Sequence, residues 1–176
     1  QYIGIHFEDI EPSAFLLYRK VQPAVGRIVM PTVRLTNGEW LQDSSVIIDH
    51  FENISSTPSI HPSGSTQRLA SYLLEVFADE WLPMAALHYR WNFPHNTAFA
   101  RREFARCSFP WLPVQIGQIF TESMARKMQG YLHVLGVNDD TISGVEETVQ
   151  VTLTSLENQL QISPYILGGR PCLGDF

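Results

Sequence analysis

The sequence has few cysteines, no long apolar run and no block of basic residues, and each absence removes a class of protein. Cys107 and Cys172 are the only two cysteines and lack C-x-x-C spacing, so we expect free thiols. No apolar run reaches the about 18 residues of a membrane-spanning helix. The first residues, QYIGIHFEDIEP, match neither a signal peptide nor a basic transit segment. We therefore expect a cytoplasmic protein without a membrane partner.

Charge and motifs narrow the range of functions further. The formal net charge is −6 and charged residues make up 17% of the chain, which argues against a nucleic-acid partner. The sequence contains no G-x-S-x-G, Walker, G-x-G-x-x-G or H-E-x-x-H motif, and its six histidines lack metal-ligand spacing. We therefore expect no metal site. A length of 176 residues suits one domain or two small ones.

The segment Met30–Glu52 combines several local signals in order. Val33 and Leu35 alternate with polar residues, and Asn37-Gly38 is a strong signal for a two-residue hairpin turn. Good N-cap residues, Asp43 and Ser44, then precede apolar residues at helical spacing. This pattern predicts a hairpin that leads directly into the N-terminus of a helix.

The predicted hairpin–helix junction has a chemical consequence. The first turn of a helix leaves backbone N–H groups unpaired, which suits a carboxylate or phosphate. Ser44 would add a hydroxyl donor and Asp43 would accept from an ammonium group; the alternative is that these residues only cap the helix. Pro31 at the start of the strand suggests a cis Met30–Pro31 bond that turns the Met30 backbone toward this site.

The rest of the chain predicts one more strand followed by helices. Alternation of Ile3, Ile5 and Phe7 predicts a strand near the start, and Asn53–Ser65 has the Ser/Pro/Gly composition of a linker. A capping box at Ser143–Glu146 is predicted to open the last long helix. The first long helix, kinked at Pro83, is predicted to bury one apolar stripe: Leu69, Leu73, Val76, Phe77, Trp81, Met84 and Trp91.

Two motifs together resemble those of the cytosolic glutathione S-transferases, in their bacterial type. In that family a V/M-P pair, a strand pair and E/D-S-x-x-I follow one another, as they do from Met30 onward, with Asp43 in place of the commoner Glu. The closing run ISPYILGGRPCLGDF resembles the family's P-Y-L-x-G-x-x-P-[ST]-x-A-D. In the family the Ser/Thr and Asp of this run form a capping box; here Cys172 takes the first position, and Gly174 replaces the Ala.

The resemblance implies an α+β fold of two domains. Residues 1–52 would form a thioredoxin-like glutathione-binding domain that lacks its first strand and helix. Residues 53–65 would be the linker, and residues 66–176 an all-α bundle of the family's C-terminal type, incomplete at its end. The sequence would then be truncated at both ends relative to the family.

The resemblance also implies a function. Met30 and Pro31 would present backbone groups to the cysteinyl part of glutathione, the co-substrate, while Asp43 and Ser44 would hold its γ-glutamyl end. Tyr89 and Trp91 would line a hydrophobic-substrate site. The complete protein would be a homodimeric enzyme that transfers the glutathione thiolate to a small-molecule electrophile. No catalytic residue is assigned in this chain, because the family's thiol-activating Tyr, Ser or Cys would precede Gln1. The alternative is a noncatalytic module of the same fold that serves in dimerisation or scaffolding.

Overall fold

The computed structural model describes residues 4–176 of the chain, and about 64% of them are helical. The strands of the described part form a single two-stranded sheet. The chain divides into two compact units: the first comprises Gln1–Pro58 and Arg102–Thr121, and the second comprises Ser59–Arg101 and Glu122–Phe176. Two long helices contribute residues to both units.

The first unit contains short helical segments, a hairpin and one longer helix. Its elements are α1 (Ala14–Leu16), a π-helical turn (Leu17–Val21), α2 (Gln22–Val25), β1 (Thr32–Arg34), β2 (Trp40–Gln42) and α3 (Ser44–Ile54). The Ser13 hydroxyl oxygen caps α1 by accepting from the Leu16 N–H at 3.2 Å. Gly26 ends α2 with a φ of 81°, a left-handed conformation that favours glycine.

The remaining elements are helical. They are α4 (Ser65–Val76), a second π-helical turn (Phe77–Trp81), α5 (Leu82–Trp91), α6 (Pro94–Ser108), α7 (Val114–Val134), α8 (Ile142–Ile162) and a 3₁₀ turn (Leu173–Asp175). Helices α6 and α7 are the two shared between the units. Small residues are buried on several helices: Ala85, Ala100, Ala105 and Ala125.

A proline follows each of the two π-helical turns at the same distance along the chain. The first ends at Val21 and is followed two residues later by Pro23; the second ends at Trp81 and is followed two residues later by Pro83. Proline has no N–H to donate, and its ring collides with the carbonyl four residues earlier in a regular α-helix. A wider turn just before the proline relieves that conflict, so the predicted kink at Pro83 takes the form of a π-helical turn.

The predicted thioredoxin-like domain, and with it the predicted α+β fold, is wrong. Such a domain needs a sheet larger than one hairpin, and the described residues form only strands β1 and β2. Residues 4–13, where a strand was predicted through Ile5 and Phe7, contain neither helix nor strand; Ile3 lies outside the described residues. Alternation gives a strand only where a second strand accepts its backbone hydrogen bonds, and this segment pairs with none.

The predicted apolar stripe of the first long helix is also wrong in its first half. Leu69, Leu73 and Val76 on α4 are more than half exposed, whereas Trp91 on α5 is buried. The extra residue of the π-helical turn rotates the following helix by about 100° relative to an unbroken α-helix. The α4 side chains and the α5 side chains therefore do not continue one face.

Candidate functional site

The hairpin is closed by a turn one residue longer than predicted. The Leu35 N–H donates to the Glu39 carbonyl at 2.8 Å, which leaves residues 36–38 as the loop. Gly38 has a φ of 89°, so a left-handed residue completes a three-residue loop. Asn37 is in the loop as predicted, and its side-chain oxygen accepts from the Glu39 N–H at 2.9 Å.

The four residues predicted to bind glutathione adjoin the open end of the hairpin, two before β1 and two after β2. Strands β1 and β2 are antiparallel, and Thr32 pairs with Gln42. Met30 and Pro31 directly precede Thr32, and Asp43 and Ser44 directly follow Gln42. The Met30–Pro31 peptide bond is cis, as predicted, and the Met30 side chain is 60% exposed.

Asp43 is the N-cap of α3, which has eleven residues. Its Oδ1 accepts from the Ser45 N–H at 3.0 Å, and its backbone carbonyl accepts from the Ile47 N–H at 3.0 Å. The φ of Asp43 is 82°, an uncommon conformation for a residue with a side chain. Ser44, half-buried, is the first helical residue, so its N–H and hydroxyl belong to the turn that carries partial positive charge.

The two residues predicted for a hydrophobic-substrate site differ in their surroundings. Trp91 is only 3% exposed, so its ring is part of the core of the second unit. Tyr89 is half-buried, and its ring stacks on Phe93 with centroids 5.6 Å apart and planes 13° apart. Phe93 follows α5 in the short connection to α6 and is 39% exposed. Sequence reasoning missed Phe93, although its i,i+4 spacing from Tyr89 is a signal for such a pair.

A buried histidine next to this ring pair was also missed. His88 is 2% exposed; its Nε2 lies 2.9 Å from Glu146 Oε1 on α8, and its Nδ1 lies 2.8 Å from Asn92 Nδ2. The His88–Asn92 spacing is visible in the sequence, but Glu146 is 58 residues away. The predicted capping box at Ser143–Glu146 is wrong, because α8 begins after Thr141 and Glu146 reaches His88 instead.

The end of the described chain contains the capping box that the family motif implies. Asp175 Oδ2 accepts from the Cys172 N–H, and Oδ1 accepts from the Ile166 N–H, both at 2.8 Å. The Cys172 side chain completes the box by accepting from the backbone of Asp175. Burial raises the pKa of the Cys172 thiol, and Asp175 raises it further, against a smaller lowering by the Ser71 hydroxyl. A protonated thiol is a poor nucleophile, and the Cys172 side chain caps the 3₁₀ turn.

Gly174, where the family has Ala, lies directly against α4. A Cβ on Gly174 would stand 2.8 Å from the Leu74 Cβ, closer than carbon atoms pack. A side chain larger than that of glycine at position 174 therefore meets a steric obstacle within the second unit.

Residues 4–176 contain no group of three or more His, Cys, Asp or Glu side chains that could hold a metal ion. None of the helices in the same range has the length and apolar character needed to cross a bilayer. No family model, curated protein or solved structure matches this chain.

Proposed function

We propose that the chain binds glutathione at the hairpin–helix junction formed by Met30, Pro31, Asp43 and Ser44. The observation that supports the proposal best is the strand register, in which Thr32 pairs with Gln42, the residues next to Pro31 and Asp43 at the open end of the hairpin. The segment that leads into β1 and the first turn of α3 both adjoin the last pair of this ladder. Together they offer backbone groups and a helix N-terminus to a short peptide with charged ends.

The chemistry of the junction suits the γ-glutamyl end of glutathione. This end carries an ammonium group and a carboxylate side by side. An ionised carboxylate has about four acceptor positions, so Asp43 can accept from the Ser45 N–H and from an ammonium group together. The hydroxyl and N–H of Ser44 are donors for the ligand carboxylate, and the partial positive charge of the helix N-terminus favours the same anion.

The proposed activity is transfer of the glutathione thiolate to a hydrophobic electrophile. The thiolate is the nucleophile, and a thiol with an ordinary pKa near 8.5 is only a few per cent ionised at neutral pH. Holding the peptide at the junction would orient its sulfur but would not by itself ionise it. A cytoplasmic location fits this proposal, because thiols stay reduced there.

Calorimetric titration with glutathione tests the proposed site. Ser44→Ala should weaken binding by about 1.5–3 kcal/mol, the usual worth of a hydrogen bond to a charged group. Ser65→Ala is the matched control, because Ser65 is likewise the first residue of a helix and should leave binding unchanged. Equal affinities for wild type and Ser44→Ala would remove the γ-glutamyl site, and absence of binding by wild type would remove the proposed function.

A noncatalytic assembly module is the second candidate, and the surface of α4 favours it. Four apolar side chains with helical spacing share one exposed face of α4: Leu69, Tyr72, Leu73 and Val76. A second copy of the chain would cover such a face in a homodimer.

Sedimentation at micromolar concentration should show a dimer for wild type and a monomer for Leu73→Glu. A wild-type monomer would contradict assembly, and turnover of a chromogenic electrophile with glutathione would favour the enzyme.

A further inference from the structure

We propose that Asn37 is a site of spontaneous chemical modification, at which the side-chain amide is lost and an aspartate or isoaspartate forms. Asn37 and Gly38 lie in the loop that joins β1 and β2. The reaction needs water and no enzyme, and the inference does not depend on the proposed function. A new carboxylate would form at the closed end of the hairpin, whereas Asp43 adjoins its open end.

The reaction joins the backbone nitrogen of Gly38 to Cγ, the side-chain carbonyl carbon of Asn37. The nitrogen loses its proton to water or hydroxide and attacks Cγ. The bond between Cγ and Nδ2 breaks, and the departing nitrogen takes a proton from water and leaves as ammonia. The product is a succinimide ring, which water then opens at either carbonyl. One opening gives aspartate, and the other gives isoaspartate, in which the backbone continues through the side-chain carbon.

The loop leaves both reacting groups accessible. Asn37 and Gly38 are exposed, so water can reach the succinimide ring that it must open. Gly38 has no side chain to crowd the attacking nitrogen, and a Cβ built at this position meets no atom within 4 Å. Steric hindrance to ring closure is therefore low at this position.

The hydrogen bonds of the loop favour attack on Asn37. The Glu39 N–H donates to Asn37 Oδ1 at 2.9 Å, and the ring of atoms that this bond closes contains both Cγ and the Gly38 nitrogen. The same donor would stabilise the negative charge that builds up on Oδ1 during the attack. The Gly38 N–H donates to the Leu35 carbonyl at 3.0 Å, and this bond must open first. Opening it costs little in an exposed loop, because water replaces the lost partner.

The modification would place a second negative charge beside Glu39. In the unmodified loop Asn37 Nδ2 donates to Glu39 Oε2 at 3.3 Å. Once the amide is lost, a carboxylate faces that oxygen, so an attraction becomes a repulsion between like charges. Isoaspartate also lengthens the backbone of the loop, which disturbs the bond from the Leu35 N–H to the Glu39 carbonyl that closes the hairpin. We therefore expect the modified hairpin to be less stable.

Peptide mapping by mass spectrometry, after the folded protein has been incubated at mildly alkaline pH, tests the site. Asn138 is the internal control: it is exposed, and its Oδ1 accepts from the Asp140 N–H at 3.0 Å, but Asp139 follows it in place of a glycine. We expect loss of the amide at Asn37 while Asn138 stays intact in the same sample. Equal conversion at the two positions, or an intact Asn37, would overturn the proposal.

Labelling with an isoaspartyl methyltransferase gives a second readout of the product. The incubated wild type should accept methyl groups, and Asn37→Gln should lose this labelling, because the longer side chain closes its ring much more slowly. Labelling that persists in Asn37→Gln would place the reaction at another residue and overturn the assignment.

Thermal unfolding tests the consequence for the hairpin. Asn37→Asp reproduces one product and should lower the unfolding midpoint by about 1–2 °C. Adding Glu39→Gln to that variant leaves only one of the two negative charges and should remove most of the loss. An unchanged midpoint in Asn37→Asp, or a loss that Glu39→Gln does not reduce, would contradict the proposed repulsion.

Discussion

The two segments that carry the family resemblance use their acidic residues differently. At the hairpin–helix junction Asp43 receives one N–H on a single oxygen, at the exposed start of a helix. In the closing segment Asp175 receives two N–H groups, one on each oxygen, and holds residues that are distant along the chain. A carboxylate with both oxygens hydrogen-bonded to the backbone stabilises the fold, whereas one with a single bonded oxygen leaves its other oxygen for a ligand. The four predictions below test this difference, from the largest expected effect to the smallest.

Replacing Asp175 with Ala should lower the free energy of unfolding by about 2–4 kcal/mol, because two backbone donors lose a charged acceptor. Urea denaturation followed by circular dichroism measures the change. Asp140→Ala removes an exposed acidic residue from the turn before α8 and should alter stability by less than about 0.5 kcal/mol. Similar losses for the two variants would show that Asp175 has no special structural role.

Gly174→Ala should destabilise the protein by about 1–3 kcal/mol, since the added Cβ would meet the Leu74 Cβ at 2.8 Å. The same addition at Gly169 meets no atom within 4 Å and serves as the control. Leu74→Ala keeps the Cβ of residue 74. It should therefore remove only the part of the Gly174→Ala destabilisation that comes from contacts with Leu74 Cδ1 and Cγ. A double-mutant cycle measures that part, and strict additivity would contradict the proposed contact.

Asp43→Ala should cost about 1 kcal/mol for the lost cap, and more because alanine tolerates a φ of 82° poorly. Asp43→Gly loses the same side chain but adopts this conformation easily, so it should be closer to wild type. Thermal unfolding of the two variants makes the comparison. Equal midpoints would show that the backbone conformation of Asp43 contributes nothing.

The smallest effect concerns Cys172, whose pKa is raised in the folded state mainly by burial. Below the ordinary thiol pKa of about 8.5 both states are protonated, and above it the unfolded state releases its proton first. Stability should therefore fall as the pH rises above about 8.5, and Cys172→Ser should remove that part of the fall. Unfolding curves between pH 7 and pH 10 show the difference. Parallel pH profiles for wild type and Cys172→Ser would contradict it.

Sequence reasoning succeeded where the cause of a structure lies within a few residues. The hairpin at Asn37-Gly38 and the Asp43 cap depend on neighbours along the chain, as does the Cys172–Asp175 box that the resemblance implied. It failed where the outcome depends on distant segments. Glu146 has good capping chemistry for α8, but the bond to His88 on α5 takes its side chain instead. The predicted N-terminal strand failed for the same reason, because a strand needs a partner that its own sequence does not supply.

Which site residues could be predicted also depended on whether their neighbours in space are close along the chain. Met30, Pro31, Asp43 and Ser44 could be grouped from the sequence because one hairpin joins them. The surroundings of Tyr89 could not be predicted, since Trp91 is buried and Phe93 takes the place beside Tyr89. Two residues along a helix correspond to about 200° of rotation, so Tyr89 and Trp91 face nearly opposite directions.

The π-helical turn Phe77–Trp81 also alters how neighbours must be counted along this segment. Inside the turn, contacts follow i,i+5 spacing rather than i,i+4. A residue on α4 therefore points in the same direction around the helix axis as a residue on α5 that lies one position later in the sequence than it would in a regular helix. Deleting a single residue within the turn would return both halves to one continuous period, turning α5 about its axis and carrying His88 away from Glu146.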